Sequence, residues 1–173
     1  MLLTLLIAFI DPPYDTMHRD FILEEQYSSP KDRQIIYLAA NDINKAVGCQ
    51  VINVKTVAFV DFDHNIITFN PEALEKEEED DLAMTFQRGP LVKIGIRQRM
   101  HNEKLYYVAI HELGHALSLD HVNDRKSVMY PYVFGAYPNV SNHHKIYRKW
   151  RYRWSHQISN LLKAKKASIC TDR

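Results

Sequence analysis

The sequence predicts an α+β fold in one domain, and two observations lead to this prediction. The chain has 173 residues, of which 46% are hydrophobic and 25% charged, which is ordinary for a single globular domain with a real core. The pattern along the chain then reads as a strand, a helix, several strands and two further helices. A net charge of +1 argues neither for nor against a polyanionic partner. We expect residues 11–173 to form this domain.

An apolar run, LLTLLIAFI, fills most of residues 1–10 and ends sharply at Asp11, Pro12 and Pro13. As a helix, this run is too short to span a bilayer. Its length suits the core of a signal peptide, although no Lys or Arg precedes it and no A-x-A-like cleavage site follows it. A buried strand of the domain is the alternative. Both interpretations stay open, with the signal peptide slightly favoured.

A first helix is predicted after a short strand over residues 21–26. Ser28, Ser29 and Pro30 are typical of a helix start, and Gly48 is a natural end. Apolar residues recur between these signals at helical spacing: Ile35, Ile36, Leu38, Ala39, Ile43 and Val47. This spacing predicts that one face of the helix packs against the core.

Three further stretches read as strands. Residues 51–62 alternate and are rich in β-branched residues, which predicts one strand or two, and residues 66–69 form another after a turn. Residues 91–97 alternate after the break at Gly89–Pro90. The acidic stretch 72–81 is expected to be a solvated loop or an exposed helix face. It contains no D-x-[DN]-x-[DN]-G loop, so a calcium site there is unsupported.

The helix predicted over residues 103–118, with Asn102 as its cap, carries the most informative side chains. His111 and His115 are four residues apart, so they stack on one helical face and can both reach one metal ion at about 2.0–2.1 Å. Glu112 directly follows the first histidine and turns off the ligand axis, towards a water at the metal. An H-E-x-x-H motif supplies two metal ligands and a general base.

A catalytic zinc usually has three protein ligands, so a third ligand is needed. His121 lies six residues beyond His115 and reaches the same ion only if the helix stops near Ser118 and the chain turns back. The alternative is an ordinary helix with polar histidines. Apolar residues do predict a face packed on the core: Leu105, Ala109, Leu113, Ala116 and Leu117. That alternative explains the leucines but not three histidines and a glutamate in register.

The stretch HELGHALSLDH resembles the zinc motif of the metzincins, and the SVMYP that follows it resembles their Met-turn. Together, LDH and VMYP are most similar to the matrixins, the matrix metalloprotease branch. The resemblance implies a metzincin-like zincin domain, in which a twisted mixed β-sheet and two main helices accompany a zinc-binding helix, a Met-turn and a C-terminal helix. It also implies one catalytic Zn²⁺ held by His111, His115 and His121, with Met129 in the turn beneath them.

By this resemblance, the protein is expected to be a zinc endopeptidase that acts on protein or peptide substrates. Glu112 would take a proton from water as the water attacks the scissile carbonyl, and would pass it to the leaving amine. An extended substrate would pair with an edge strand near Leu91–Arg97. The side chain beyond the cut would enter a specificity pocket bordered by the ligand helix and by the residues after the methionine: Tyr130, Pro131, Tyr132 and Val133.

Two departures from the matrixin pattern concern the site itself. Ser118 stands at the glycine position of the motif, where a non-glycine residue at positive φ costs about 1–2 kcal/mol. This departure bears on the position of His121. Val133 stands where matrixins usually carry a tyrosine, which predicts a wider or differently bounded pocket.

The C-terminal stretch predicts a last helix from Ser141 or Asn142 to about Lys165. From Arg125 to Thr171 the chain contains no Asp or Glu, and it interleaves Lys and Arg with aromatic residues. Such a helix can make weak contact with an anionic surface, whereas nucleic-acid binding is not expected. The spacing of its apolar residues favours a helix packed on the domain: Ile146, Trp150, Ile158 and Leu161.

Cys49 and Cys170 could form one disulfide in a secreted chain or remain free thiols, and the sequence leaves both open. We expect a secreted or extracellular protein, because metzincins are usually exported. We also expect a monomer. Two rival functions remain. One is a zinc-binding but inactive relative that serves as a binding module, against which the intact Glu112 argues. The other is an adaptor that binds anionic surfaces through the basic C-terminal helix.

Overall fold

A computed structural model describes residues 19–59, 63–70, 82–88, 90–97, 100–131, 144–164 and 170. Several predictions from the sequence fall outside these residues. They are the signal peptide or strand over residues 1–10, the acidic stretch 72–81 with its unsupported calcium site, and the pocket residues Tyr132 and Val133.

Within the described residues, the elements in chain order are five strands and three helices. They are β1 (Arg19–Glu24), α1 (Pro30–Val47), β2 (Ile52–Val57), β3 (Asn65–Thr68), β4 (Ala83–Arg88), β5 (Leu91–Ile96), α2 (Asn102–Ala116) and α3 (His144–Ala164). The five strands form one mixed sheet, so the predicted α+β class with a mixed sheet is confirmed.

The sheet has the strand order β2-β1-β3-β5-β4. The β1–β2, β1–β3 and β3–β5 pairs are parallel, and β4 runs antiparallel to β5. No strand is predicted from the sequence over residues 83–88, and the edge strand is predicted near Leu91–Arg97. That placement was wrong, because β5 pairs with β3 on one side and with β4 on the other. Among the described strands, the outer one at this end of the sheet is β4.

Helix α1 begins and ends at the predicted signals. Ser29 caps it: the Ser29 hydroxyl accepts from the Asp32 backbone N–H at 3.2 Å, and the Asp32 carboxylate accepts from the Ser29 N–H at 3.0 Å. Gly48 ends it in the left-handed conformation, with φ of 94°. The face predicted to pack is buried, as Ile36, Ala39 and Ile43 show.

Helix α2 lies at the centre of the molecule and contacts α1, α3 and the sheet. Every residue from Leu105 to Gly114 is buried, as expected for a helix covered on several sides. The predicted cap at Asn102 was wrong by one position. His101 is the N-cap, and its side chain makes no capping hydrogen bond.

Helix α3 packs against α1 and α2 along one face. Of the residues predicted to pack, Ile158 is buried and Trp150 and Leu161 are half-buried, whereas the side chain of Ile146 lies outside the described residues. Trp154, Ile158 and Leu162 are buried, and the Trp154 ring meets the Tyr107 ring edge-on at a centroid distance of 5.0 Å. The opposite face carries exposed basic residues at Arg148, Lys149 and Arg153.

Two further connections fasten the C-terminal part of the chain to α1. The Arg151 guanidinium binds the Asp42 carboxylate, with an Nη2–Oδ2 distance of 2.6 Å. Cys170 forms a disulfide with Cys49, which lies just past the end of α1, with their Cα atoms 6.0 Å apart. The structure therefore decides a question that the sequence left open.

Candidate metal centre

The last two turns of α2 place two imidazoles side by side. His111 and His115 are one helical turn apart, and their Nε2 atoms lie 3.0 Å from each other. His121, on the segment after the helix, brings its Nε2 to 3.1 Å from that of His115 and 3.3 Å from that of His111. The three histidines named from the sequence therefore meet at one point.

The turn after α2 makes this meeting possible. Ser118 has a φ of 62°, so the left-handed conformation expected at the motif's glycine position is present with a serine in its place. The Ser118 N–H donates to the His115 carbonyl at 2.8 Å, and the Leu119 N–H donates to the Gly114 carbonyl at 3.0 Å. These bonds satisfy carbonyl groups at the helix end while they reverse the chain towards His121.

Backbone carbonyls fix the protonation pattern of two of the rings. His111 Nδ1 lies 2.7 Å from the Val128 carbonyl oxygen, and His115 Nδ1 lies 2.7 Å from the Leu119 carbonyl oxygen. A carbonyl can only accept, so each Nδ1 carries the proton and donates it. Each Nε2 of these two rings then presents a lone pair to the meeting point when the imidazole is neutral.

The spacing of the three nitrogen atoms fits a single metal ion. Nitrogen ligands at about 2.05 Å from a tetrahedral ion lie about 3.3 Å from one another. The observed Nε2–Nε2 distances of 3.0, 3.1 and 3.3 Å approach that value. Among the described residues, His111, His115 and His121 form the group that could hold a metal ion.

Burial favours the neutral imidazoles that a metal requires. It lowers the pKa of His111 from 6.5 to about 4. The hydrogen bond to the Val128 carbonyl opposes this shift, and the neighbouring His115 and His121 add to the lowering of the pKa. Burial also lowers the pKa of His115. At neutral pH, protons therefore compete weakly for the nitrogen atoms of these two rings.

Glu112 lies beside this cluster and outside the group of potential ligands. Its side chain is buried, with 6% of the residue exposed. The Thr85 hydroxyl of β4 donates to Glu112 Oε2 at 2.6 Å. No sequence pattern points to Thr85, because 27 residues separate it from the glutamate.

Met129 lies in a turn after His121 that packs against α2. The Met129 N–H donates to the Ser127 hydroxyl at 3.1 Å, and the Met129 carbonyl accepts from the Val122 N–H at 2.9 Å. The Met129 side chain is fully buried against Gly114, where an added Cβ would lie 2.6 Å from the methionine sulfur. A glycine at position 114 therefore permits the close approach of this methionine to α2.

Gln157 of α3 holds the same turn from the other side. Its side-chain amide accepts from the Val128 N–H at 2.9 Å and donates to the Lys126 carbonyl at 3.1 Å. The Val128 carbonyl in turn accepts from His111 and, at 3.2 Å, from the Tyr107 hydroxyl. Gln157 thus fixes the acceptor that orients His111, and no local sequence pattern predicts this role.

The residues predicted to border a specificity pocket are only partly within the described chain. Tyr130 is half-buried directly after Met129, and its N–H donates to the Ser127 carbonyl at 3.3 Å. Pro131 is exposed beside it. The pocket itself stays a prediction.

Comparison with known proteins gives matches to one family. A family model described as matrixin, within the M10 peptidases, matches residues 52–145, just over half of the chain. Macrophage metalloelastase of Oryctolagus cuniculus is 67% identical over 27 residues, which are 16% of this chain and 6% of that protein. Macrophage metalloelastase of Rattus norvegicus is 54% identical over 36 residues, 21% of this chain and 8% of that protein. These alignments span less than a tenth of either relative. The chain belongs to the matrixin family.

Proposed function

We propose that this protein is a zinc-dependent endopeptidase. The observation that carries the proposal is the meeting of three histidine nitrogens within 3.0–3.3 Å of one another. His111, His115 and His121 would hold the ion, and Met129 would form the apolar floor beneath them. Membership of the matrixin family supports the same activity.

The reaction would be divided between the metal and Glu112. When bound, zinc would act as a Lewis acid that lowers the pKa of a water and polarises the scissile carbonyl. Glu112 takes the proton from the attacking water and later gives it to the leaving amine. The position of Glu112, one residue past His111, suits this role because about 100° of helical rotation turns it off the ligand axis.

The substrate would bind in an extended conformation along the outer edge of β4. Backbone hydrogen bonds to an open edge strand are a common way to hold a peptide. Strand β4 ends the sheet on the side next to α2, which carries Glu112. The substrate side chain that follows the scissile bond would enter a pocket bordered by α2 and the residues Tyr130 to Val133.

We also propose that the protein works outside the cytosol. The Cys49–Cys170 disulfide supports this, because disulfides persist mainly in oxidising compartments. Within the described residues, no helix has the length and apolar character needed to cross a membrane.

The exposed face of α3 supports a second, weaker candidate function. Arg148, Lys149 and Arg153 face solvent there, and the exposed Tyr152 lies between them. This face would make weak contact with an anionic surface, while catalysis takes place elsewhere on the molecule.

Metal analysis combined with peptide cleavage tests the proposed function. Purified protein should hold about one zinc per chain and should cleave a mixed peptide library at neutral pH. A chelator should abolish cleavage, and added zinc should restore it. Absence of zinc after zinc-supplemented refolding rejects the metal site. Normal zinc binding without cleavage favours the inactive relative.

A matched control separates the cluster from ordinary surface histidines. His64 is exposed in the turn before β3. The His64→Ala variant should keep its zinc and its activity, whereas His111→Ala should lose both.

A further inference from the structure

We infer that Thr85 is a positioning residue for Glu112 and links the edge strand of the sheet to the general base. The inference rests on the proposed function, since it assigns a partner to the group that moves the proton. Its starting point is one contact: the Thr85 hydroxyl donates to Glu112 Oε2 at 2.6 Å.

The acceptors around the Thr85 hydroxyl determine where its proton goes. The backbone carbonyl of Glu112 lies 3.3 Å from Thr85 Oγ1, whereas the carboxylate oxygen lies 2.6 Å away. One hydroxyl carries one proton, and the shorter, charged acceptor takes it. The hydrogen bond therefore holds a carboxylate oxygen and restricts the rotation of the glutamate side chain.

The position of Thr85 explains why this restriction matters. Strand β4 is held on its inner side by β5, where Thr85 lies opposite Ile94. Thr85 thus stands on a strand fixed by the sheet and reaches the buried carboxylate of Glu112 on α2. A base held on a rigid element transfers a proton more effectively than one that samples several rotamers.

The same arrangement couples the proposed substrate site to the base. A peptide paired along the outer edge of β4 would lie on the strand that carries Thr85. Any shift of β4 on substrate binding would therefore be passed to Glu112 through one hydrogen bond. Thr85 acts through the glutamate and has no assigned contact with the scissile bond.

Two substitutions at this position test the inference. Thr85→Val removes the hydroxyl and keeps the branched shape that suits a strand, whereas Thr85→Ser keeps the hydroxyl. We expect kcat of Thr85→Val to fall about tenfold with KM unchanged, as for the loss of one hydrogen bond to a charged group. Thr85→Ser should recover kcat to within about twofold.

A matched control lies at the opposite edge of the sheet. The Thr56 hydroxyl of β2 is 2.6 Å from the Tyr37 hydroxyl, far from Glu112. Thr56→Val makes the same chemical change to a threonine on an edge strand, and its kcat should match the wild type. Equal kcat in Thr85→Val and wild type overturns the inference, as does an equal loss in the valine and serine variants.

A second measurement needs no activity. In crystals of the zinc-free protein, the Glu112 carboxylate should leave its wild-type position in Thr85→Val and keep it in Thr85→Ser. An unmoved carboxylate in Thr85→Val overturns the inference. A wild type that binds zinc without cleaving peptides rejects the proposed function instead, and the crystals still decide the role of Thr85.

Discussion

Two polar clusters that include residues of α2 differ in how their hydrogen-bond donors and acceptors are paired. The Asp42 cluster (Asp42, Tyr106 and Arg151) joins the three helices, and each of its contacts matches a donor with an acceptor. Arg151 Nε and the Tyr106 hydroxyl each donate to Asp42 Oδ2 at 2.8 Å. In the histidine cluster (His111, His115 and His121), the Nε2 atoms of His111 and His115 instead point as acceptors at a common point, which His121 Nε2 also approaches.

The difference separates a cluster whose groups satisfy one another from a cluster whose nitrogen atoms could hold a metal ion. Matched charges and hydrogen bonds in the Asp42 cluster offset the cost of burying them. Lone pairs directed at one another repel, and a cation between them removes that repulsion. The following experiments test this division of roles, from the largest expected effect to the smallest.

The largest effect is expected for Glu112→Ala. The variant should keep its zinc and its fold, because Glu112 is outside the histidine cluster. Peptide hydrolysis should fall by about 10²–10⁴-fold, the usual contribution of general acid–base catalysis. Glu112→Asp should recover little, since its shorter side chain cannot reach the water. Activity retained in Glu112→Ala would disprove the mechanism and leave the metal site intact.

Loss of a single histidine should weaken zinc binding by more than about 100-fold. That factor is the upper limit for losing a residue that only hydrogen-bonds to a metal ligand. The loss should be larger for His111→Ala than for His121→Ala. His111 is buried and oriented by Val128, whereas His121 is exposed and follows the left-handed Ser118. Competition with a zinc chelator measures both affinities. Equal or reversed losses would contradict this ranking.

Asp42→Asn should lower the stability of the fold without weakening zinc binding. The substitution removes the charge that Arg151 binds, while 13% of the Asp42 side chain and 22% of the Arg151 side chain are exposed. We expect the free energy of unfolding to fall by about 2–3 kcal/mol, and zinc affinity to stay unchanged. Urea denaturation measures the first quantity. Asp20→Asn, at an exposed position on β1, is the control and should cost little. A large change in zinc affinity would break the proposed division.

The zinc-free protein should lose stability as the pH falls from about 6.5 to about 4. In this window the unfolded chain protonates His111, whereas burial keeps the folded imidazole neutral by lowering its pKa from 6.5 to about 4. The unfolded chain therefore binds more protons, and the free energy of unfolding falls on acidification. The expected loss is about 2 kcal/mol between about pH 7 and about pH 5. Urea denaturation of wild type and His111→Gln checks this, and an equal slope in both would contradict it.

The smallest effect concerns the turn after α2. Ser118→Gly should raise the free energy of unfolding by about 0.5–1 kcal/mol, because glycine adopts positive φ without steric cost. Gly48→Ser is the inverse control, since Gly48 has a φ of 94° and open space around it. It should lower stability by a similar amount. A loss of stability in Ser118→Gly would show that the serine side chain itself stabilises the turn.

Local signals explain which parts of the fold could be predicted. The start and end of α1 depend on Ser29, Pro30 and Gly48, which act within one helical turn. The packed face of α3 follows from residue spacing alone. Strand order could not be obtained in this way, because β1 pairs with two strands from later parts of the chain. Strand β4 was missed and the edge was placed on β5 for the same reason.

The candidate site shows the same difference between residues that are close in sequence and partners that are distant in sequence. The three histidines and Glu112 could be named because they lie within eleven residues of one another, in a spacing set by helix geometry. Their supporting partners could not be named. The Thr85 hydroxyl, the Val128 carbonyl and the Gln157 amide reach the site across 27, 17 and 29 residues, respectively, counted from their bonded partners.

The Cys49–Cys170 disulfide has a consequence for any backbone cleavage between the two cysteines. The bond closes a covalent ring that includes the histidines, Glu112 and Thr85, with the two cysteines 121 residues apart in sequence. A single cut within that ring leaves two fragments that remain one molecule. Such a nicked protein would run as two pieces only after reduction. Cleavage between the cysteines therefore does not by itself release a fragment.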